Sequence, residues 1–236
     1  VNKIIEDLKG GLIVSCQITD SEGQFDHENP IYGPTMMALA AKSAEAGGAS
    51  AVRVDGVKDI AVVRTMTSLP IIGICKMDIP GYEVRITVTI ESVRGLIEAG
   101  ADIIAVDATN RRHPGDMYGP DYIACIRAKT DALIMADISN EEEGFAAAEA
   151  GADIVATTLS GYTDYTKHIK KPDLDLVATL SRRVSTPVIC EGGISSPEQA
   201  KEALKRGAYA VVVGTMIVNV KRITQHYVSS IVEGVS

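Results

Sequence analysis

Glu98-Ala-Gly-Ala-Asp-Ile-Ile-Ala, residues 98–105, and Glu149-Ala-Gly-Ala-Asp-Ile-Val-Ala, residues 149–156, are nearly the same eight residues written twice. Each reads as a helix that ends on small residues and a glycine, then hands over to an apolar strand. Two looser copies, Glu45-Ala-Gly-Gly-Ala-Ser-Ala-Val and Lys205-Arg-Gly-Ala-Tyr-Ala-Val-Val, repeat the pattern. Glycine takes the left-handed turn at a helix C-terminus cheaply, which assigns that turn to Gly47, Gly100, Gly151 and Gly207. The period is roughly 50 residues, too long for a solenoid repeat but the length of two βα units.

Working outward, four more apolar runs bounded by turn residues fill the gaps: Leu12 to Gln17, Leu69 to Lys76, Ala132 to Asp137 and Thr186 to Glu191. Intervening stretches such as 34–46, 59–67, 91–99, 140–150, 174–184, 197–206 and 219–232 carry helical spacing, with start signals at Asp173 and at Ser196-Pro197. Strand and helix therefore alternate eight times. Continuous apolar strands mean a parallel sheet covered by helices, and eight units at this length predict a closed (β/α)₈ TIM barrel, with residues 1–236 as one catalytic domain. An open doubly wound sheet would show G-x-G-x-x-G after an early strand, and the sequence has none.

Bulk properties narrow the partners. The 236 residues are 46% hydrophobic and carry a net charge of −8, the wrong sign for a general nucleic-acid or membrane-surface role. A small anion remains compatible, because it feels a few local amides and cations rather than the whole molecule. Cys16, Cys75, Cys125 and Cys190 have no metal-type spacing and no secretory leader pattern is visible, so a reduced, cytoplasmic protein is expected.

In a parallel barrel, chemistry sits where the strands end, so polar residues there are informative. The predicted strands end in Gln17, Arg53, Lys76, Asp107, Asp137, Thr157-Thr158 and Glu191. Side chains alternate along a strand. If Lys76 points inward, Cys75 points at the helices, and the same parity separates Gln17 from Cys16 and Glu191 from Cys190; these three cysteines read as packing residues rather than nucleophiles. Lys76 would emerge from an apolar strand beside Arg53, and burial and a neighbouring cation both lower an amine's pKa towards the range of a general base. An ion pair of Lys76 with Glu191 or Asp137, or of Arg53 with Asp137, is the plainer structural alternative. His27, His113, His168 and His226 fall in predicted loops or a terminal helix and read as surface or loop residues.

Glu191-Gly-Gly-Ile-Ser-Ser-Pro-Glu leaves strand 7 and Val213-Gly-Thr leaves strand 8. Glycines let backbone N–H groups approach an anion, and loops after strands 7 and 8 are the usual phosphate cradle of this fold, which selects Gly192, Gly193, Gly214 and Thr215.

With these motifs in view, the chain resembles the N-acetylmannosamine-6-phosphate 2-epimerases of sialic acid catabolism. The resemblance is carried by Gly11-Leu-Ile-Val-Ser-Cys-Gln, Ala51-Val-Arg-Val, Ile72-Gly-Ile-Cys-Lys, Ala105-Val-Asp-Ala-Thr, Ile134-Met-Ala-Asp-Ile, Thr157-Thr-Leu-Ser-Gly-Tyr-Thr, Cys190-Glu-Gly-Gly-Ile and Val212-Val-Gly-Thr, in family order. It implies an isomerase acting at C2 of a phosphorylated amino sugar, with Lys76 as acid/base, Glu191 as its partner, and Gln17, Arg53 and Asp137 around the substrate. It also implies no metal and no organic cofactor, and it leaves room for a homodimer. Two segments depart from the family pattern. Arg85-Ile-Thr-Val88-Thr stands for Tyr-Ile-Thr-Pro-Thr, and Met216-Ile-Val-Asn219 stands for Ala-Ile-Thr followed by Arg or Asn. The rival expectations are a pentose-phosphate epimerase with metal-bound His and Asp, a Schiff-base aldolase, and a non-catalytic phosphosugar-binding barrel.

Overall fold

The structure is a computed structural model that describes residues 2–20 and 23–233. In chain order its elements are α1 (Lys3–Asp7), β1 (Leu12–Cys16), α2 (Pro34–Ala46), β2 (Ala51–Asp55), α3 (Val57–Arg64), β3 (Ile71–Ile74), α4 (Ile90–Glu98), β4 (Ile103–Asp107), α5 (Gly119–Arg127), β5 (Leu133–Asp137), α6 (Glu141–Glu149), β6 (Ile154–Ala156), α7 (Leu174–Arg183), β7 (Val188–Cys190), α8 (Pro197–Lys205), β8 (Ala210–Val213), α9 (Thr215–Val218) and α10 (Val220–Glu233). The strands are parallel and pair in sequence order. Leu12 opposite Val211, Ile13 opposite Val212 and Val14 opposite Val213 join β8 to β1 and close a (β/α)₈ TIM barrel.

Strand alternation sorts the apolar residues into two cores. One set, including Ile13, Ile72, Ile103, Met135, Ile154, Ile189 and Val212, fills the barrel interior. The residues between them, such as Val14, Cys16, Val52, Ile104, Ile134 and Val155, face outward and pack with Ala38, Ile60, Leu96, Ile123 and Leu180 of the surrounding helices. The parity argument for Cys16 and Cys75 therefore holds, and Cys190 lies in a third outer cluster with Val177 and Ala203. Burial pushes the Cys16 and Cys190 thiols up to about 12, so both stay protonated.

The start signals act as read: Asp173 and Ser196 accept from the backbone N–H groups of Leu176 and Gln199. Gly100, Gly151 and Gly207 hold φ of 101°, 93° and 104°. The fourth assignment is corrected. Gly47 ends its helix at φ −80°, and Gly48, at 88°, makes the left-handed turn. Strand 2 also runs two residues past Arg53 to Asp55.

Three helices were not foreseen. α1 sends Ile5 into the interior core, joined there by its C-cap residue Leu8, and α5 and α9 are the others. The predicted 219–232 helix appears as α10, whose residues 224–232 are exposed, including Tyr227, Val228, Ile231 and Val232. No described helix is long and apolar enough to cross a membrane.

Candidate active site

Continuing the inward parity past the apolar layers brings polar side chains to the C-terminal mouth of the barrel. Ser15, Gln17, Arg53, Lys76, Asp107, Thr158, Glu191, Gly192, Gly193, Gly214 and Thr215 line one cavity of about 460 Å³.

Its floor is Arg53, 1% exposed. The guanidinium donates to Asp137 through Nη1 (3.1 Å to Oδ1) and Nη2 (2.6 Å to Oδ2), and Nη1 also lies 3.0 Å from Glu191 Oε2. Burial opposes the charge on Arg53, but Asp137 and Glu191 outweigh it and hold the group protonated. Thus the plain alternative for Arg53 and Asp137, a mutual salt bridge, is what forms. Asp137 is fully buried beneath Arg53 and is not among the cavity-lining residues. Thr158 Oγ1 lies 2.7 Å from Asp137 Oδ1 and 3.1 Å from Glu191 Oε2. A hydroxyl has one hydrogen, so both contacts are satisfied together only when one carboxyl carries a proton. Glu191 is suited to do so: burial pushes it up to about 7, against the pull of Arg53 and with the help of Asp137.

Lys76 projects from just beyond β3. A bridge to Ile86 fixes its backbone, and Met77 and Thr87 donate to the carbonyls of Arg85 and Cys75 at 3.0 and 2.9 Å. Thr87, with φ 52°, is held in the left-handed region while its Oγ1 accepts from the Cys75 N–H and its carbonyl accepts from the Tyr122 hydroxyl; such strain persists only where surroundings enforce it. The ammonium of Lys76 donates to Gln17 Oε1 at 2.8 Å, and Gln17 Nε2 donates to Ser15 Oγ at 2.8 Å. Its nearest carboxylate is Asp55, with Oδ2 4.0 Å away, rather than Glu191 or Asp137. Burial lowers the Lys76 pKa; Asp55 resists, and Arg53 and Arg85 reinforce the shift. The Phe25 ring centroid lies 5.8 Å from Nζ.

The expected anion-cradle residues lie together. Gly192 and Gly193 take φ of 107° and 74°, and a Cβ on Gly193 would stand 2.6 Å from Cβ of Lys171. Among the described residues, the backbone N–H groups of Gly192, Gly193, Gly214 and Thr215 have no acceptor.

Four lining or adjoining groups were missed. Asp55 carried a signal, since it sits two residues past Arg53 on the same strand face. Asp107 was marked as a strand end, but its partner Arg111 (2.6 Å, Nη2 to Oδ2) was not. Arg85 and Arg222 also line the cavity; nothing in the helical spacing of 219–232 singled out Arg222. His113 corrects the surface reading: it lies in a loop but is fully buried, with Nε2 2.9 Å from the Asp107 carbonyl and its ring stacked on Tyr122 at 4.4 Å. Among the described residues, no three His, Cys, Asp or Glu side chains gather as a metal site.

Comparison with known proteins adds an independent line. The family described as "Putative N-acetylmannosamine-6-phosphate epimerase" matches residues 36–233. A protein of Caldanaerobacter subterraneus subsp. tengcongensis, named "Putative N-acetylmannosamine-6-phosphate 2-epimerase", is 46% identical over 98% of this chain and 94% of its own length. A Clostridium perfringens protein of the same name is 42% identical over 95% of this chain and 98% of its own. The solved structure of the N-acetylmannosamine-6-phosphate 2-epimerase from Clostridium perfringens superposes with a TM-score of 0.87 at 41% identity, over 96% of this chain and 95% of that one. A thiamine phosphate pyrophosphorylase from Pyrococcus furiosus, at 19% identity and a TM-score of 0.58, shares the fold alone.

Proposed function

We propose, because this chain belongs to the N-acetylmannosamine-6-phosphate epimerase family, that its cavity interconverts N-acetylmannosamine 6-phosphate and N-acetylglucosamine 6-phosphate by proton exchange at C2. The observation that carries the reading is a buried amine, Lys76, and a buried carboxyl, Glu191, lining one cavity that also offers unpaired amides at Gly192, Gly193, Gly214 and Thr215.

In the closed sugar ring the C2 proton is barely acidic; ring opening places an aldehyde beside it, and the resulting enolate is then accessible if its charge is stabilised. Glu191, protonated near neutrality, gives its proton to the ring oxygen as the C1–O bond breaks, while the C1 hydroxyl releases its own proton to solvent and becomes the aldehyde; closure runs the same transfers in reverse and returns the proton to Glu191. Neutral Lys76 removes the C2 proton: the C–H bond breaks, an N–H bond forms, and the electron pair moves onto the C1 oxygen. Once rotation about the C1–C2 axis of the enolate turns its other face to Lys76, the ammonium gives a proton to C2, which inverts the centre and restores the neutral amine; exchange of the ammonium hydrogens with solvent supplies the isotope label. Gln17 steers the amine, and Arg53 holds Glu191 from below with Asp137 as its counter-charge. Phosphate held by the glycine loops supplies binding energy for orienting C2 far from the anchor.

The test is turnover in D₂O followed by proton NMR of the sugar pool. Deuterium at C2 of the product is expected, and Lys76→Ala should lose roughly 10²-fold to 10⁴-fold in kcat. Product without C2 deuterium, or near-normal turnover by that variant, defeats the reading. An adduct trapped by borohydride would point to Schiff-base chemistry instead.

We take residues 1–236 as one catalytic domain. Its cytoplasmic placement rests on four free cysteines and a phosphorylated substrate. The exposed apolar side chains of α10 support a homodimer, since a helix this apolar is normally covered.

A further inference from the structure

Five cations among the described residues line the cavity: Arg53, Lys76, Arg85, Arg111 and Arg222. Four are already held by carboxylates. Arg53 is bound to Asp137 and Glu191, Arg85 to Asp78 at 2.5 Å, Arg111 to Asp107 at 2.6 Å, and Lys76 lies 4.0 Å from Asp55. Arg222 is different. Among the described residues no carboxylate lies within ion-pair distance of it. Its recorded side-chain bonds are both from Nη1, to the Asp20 carbonyl at 3.1 Å and to Thr215 Oγ1 at 3.5 Å. A guanidinium has five N–H donors in a fixed fork, so most remain to be satisfied.

Its position is built rather than accidental. Asn219 is buried; its Nδ2 donates to the Thr19 carbonyl at 3.0 Å, and its Oδ1 accepts from the Arg222 backbone N–H at 3.1 Å. Asn219 thus caps α10 and sets the first helical turn, which carries the Arg222 side chain beside Thr215.

We propose that Arg222 is the cation that binds the substrate's phosphate, completing the cradle of Gly192, Gly193, Gly214 and Thr215. The proposal rests on the phosphosugar reading given above. Amides supply dipoles but no net charge, so an uncompensated cation at the same end of the cavity adds a full-charge attraction that the cradle's N–H groups alone do not give. Arginine meets phosphate bidentately, through two parallel N–H bonds that fix direction as well as attraction.

The experiment uses the full chain and its Arg222→Ala, Arg222→Gln and Arg222→Lys variants, each checked for the wild-type circular dichroism spectrum. Calorimetry reads the affinity for inorganic phosphate, and steady-state kinetics read KM and kcat for N-acetylmannosamine 6-phosphate. Loss of one charge-assisted bidentate contact should weaken phosphate binding and lower kcat/KM about tenfold to a hundredfold in the Ala and Gln variants, with a rise in KM as part of the change and part of the affinity restored in Lys. Equal phosphate affinity in wild type and Arg222→Gln overturns the proposal, as does a fall in kcat with KM unchanged. If the wild type exchanges no C2 proton, the proposed activity fails, while the phosphate titrations still judge Arg222.

Discussion

Asp137→Asn removes one negative charge from beneath the cavity and keeps the side chain's shape. Asp137 Oδ1 and Glu191 Oε2 both lie against the Thr158 hydroxyl, at 2.7 and 3.1 Å, which puts the two oxygens about 5 Å apart by ordinary hydrogen-bond geometry. At that distance, with an effective dielectric of about 20, two unit charges repel by about 3 kcal/mol, or roughly two pKa units. Asp137 is one of the causes holding Glu191 at about 7. In the variant that push disappears, and Arg53, freed from its main counter-charge, pulls the same way. The Glu191 pKa should fall by about two units. Because the proposed ring opening uses protonated Glu191, the basic limb of the kcat/KM profile should move to lower pH by that amount, so that at any pH above both pKa values the variant is roughly a hundredfold slower than the wild type. Breaking a buried pair also costs about 3–5 kcal/mol of stability, so the profile is recorded well below the variant's own melting temperature. The assay is initial-rate kinetics from pH 5 to pH 9. A basic limb that stays in place in a folded Asp137→Asn protein would refute the assignment of that limb to Glu191.

Glu191 also ties folding to pH. Its folded pKa of about 7 lies above the ordinary carboxyl value of 4.5, so the folded state binds the proton more tightly; the stabilisation is full below the unfolded value and is lost as pH rises through about 7. Urea titrations should show Glu191→Gln removing about 3 kcal/mol of the wild type's decline over that window, and parallel curves for the two proteins would contradict the shift. Gly193→Ala forces a side chain onto φ 74° and against Lys171; it should destabilise by about 1–3 kcal/mol and raise KM more than it lowers kcat. Unchanged melting temperature and KM in that variant would remove the loop from the cradle.

Much of this was legible because the barrel obeys two simple periods. The repeated helix–glycine–strand phrase marks four units and the apolar runs between them supply the other four; strand ends select Arg53, Asp137 and Thr157-Thr158, and alternation sets Gln17, Lys76 and Glu191 apart from the cysteines beside them. What escaped was short or non-local. Five-residue α1 and four-residue α9 are too brief for a 3.6-residue period to appear. Gly47 and Gly48 are adjacent, and composition does not say which bends. The Arg53–Asp137 ion pair is open from the sequence as the plainer alternative to substrate contact, and the choice between them needs depth, since Asp137 lies buried beneath Arg53. His113 appeared as a loop polar residue, yet the loop folds it under the Asp107 carbonyl. Arg222 depends on where a cap 190 residues from Asn29 settles, since Asn29 Nδ2 reaches Asn219 Oδ1 at 3.4 Å.

The arrangement also answers why a lysine and a glutamate in one cavity do not simply neutralise each other. A direct Lys76–Glu191 pair would raise the amine's pKa, lower the carboxyl's, and leave neither suited to move a proton near neutrality. Here each is engaged by something else. Gln17 accepts from the amine with a neutral carbonyl oxygen, adding a hydrogen bond without a full charge. Arg53 and Thr158 hold the carboxyl, and Asp137 cancels much of the charge Arg53 would otherwise impose on it. With the strong local fields compensated in this way, burial is left as the leading influence on both groups. Burial always favours the neutral form, so it moves the amine down and the acid up. The Arg53–Asp137 pair is therefore what leaves burial free to push the carboxyl up, while burial against the pull of Asp55 brings the amine down on the other side of the same cavity.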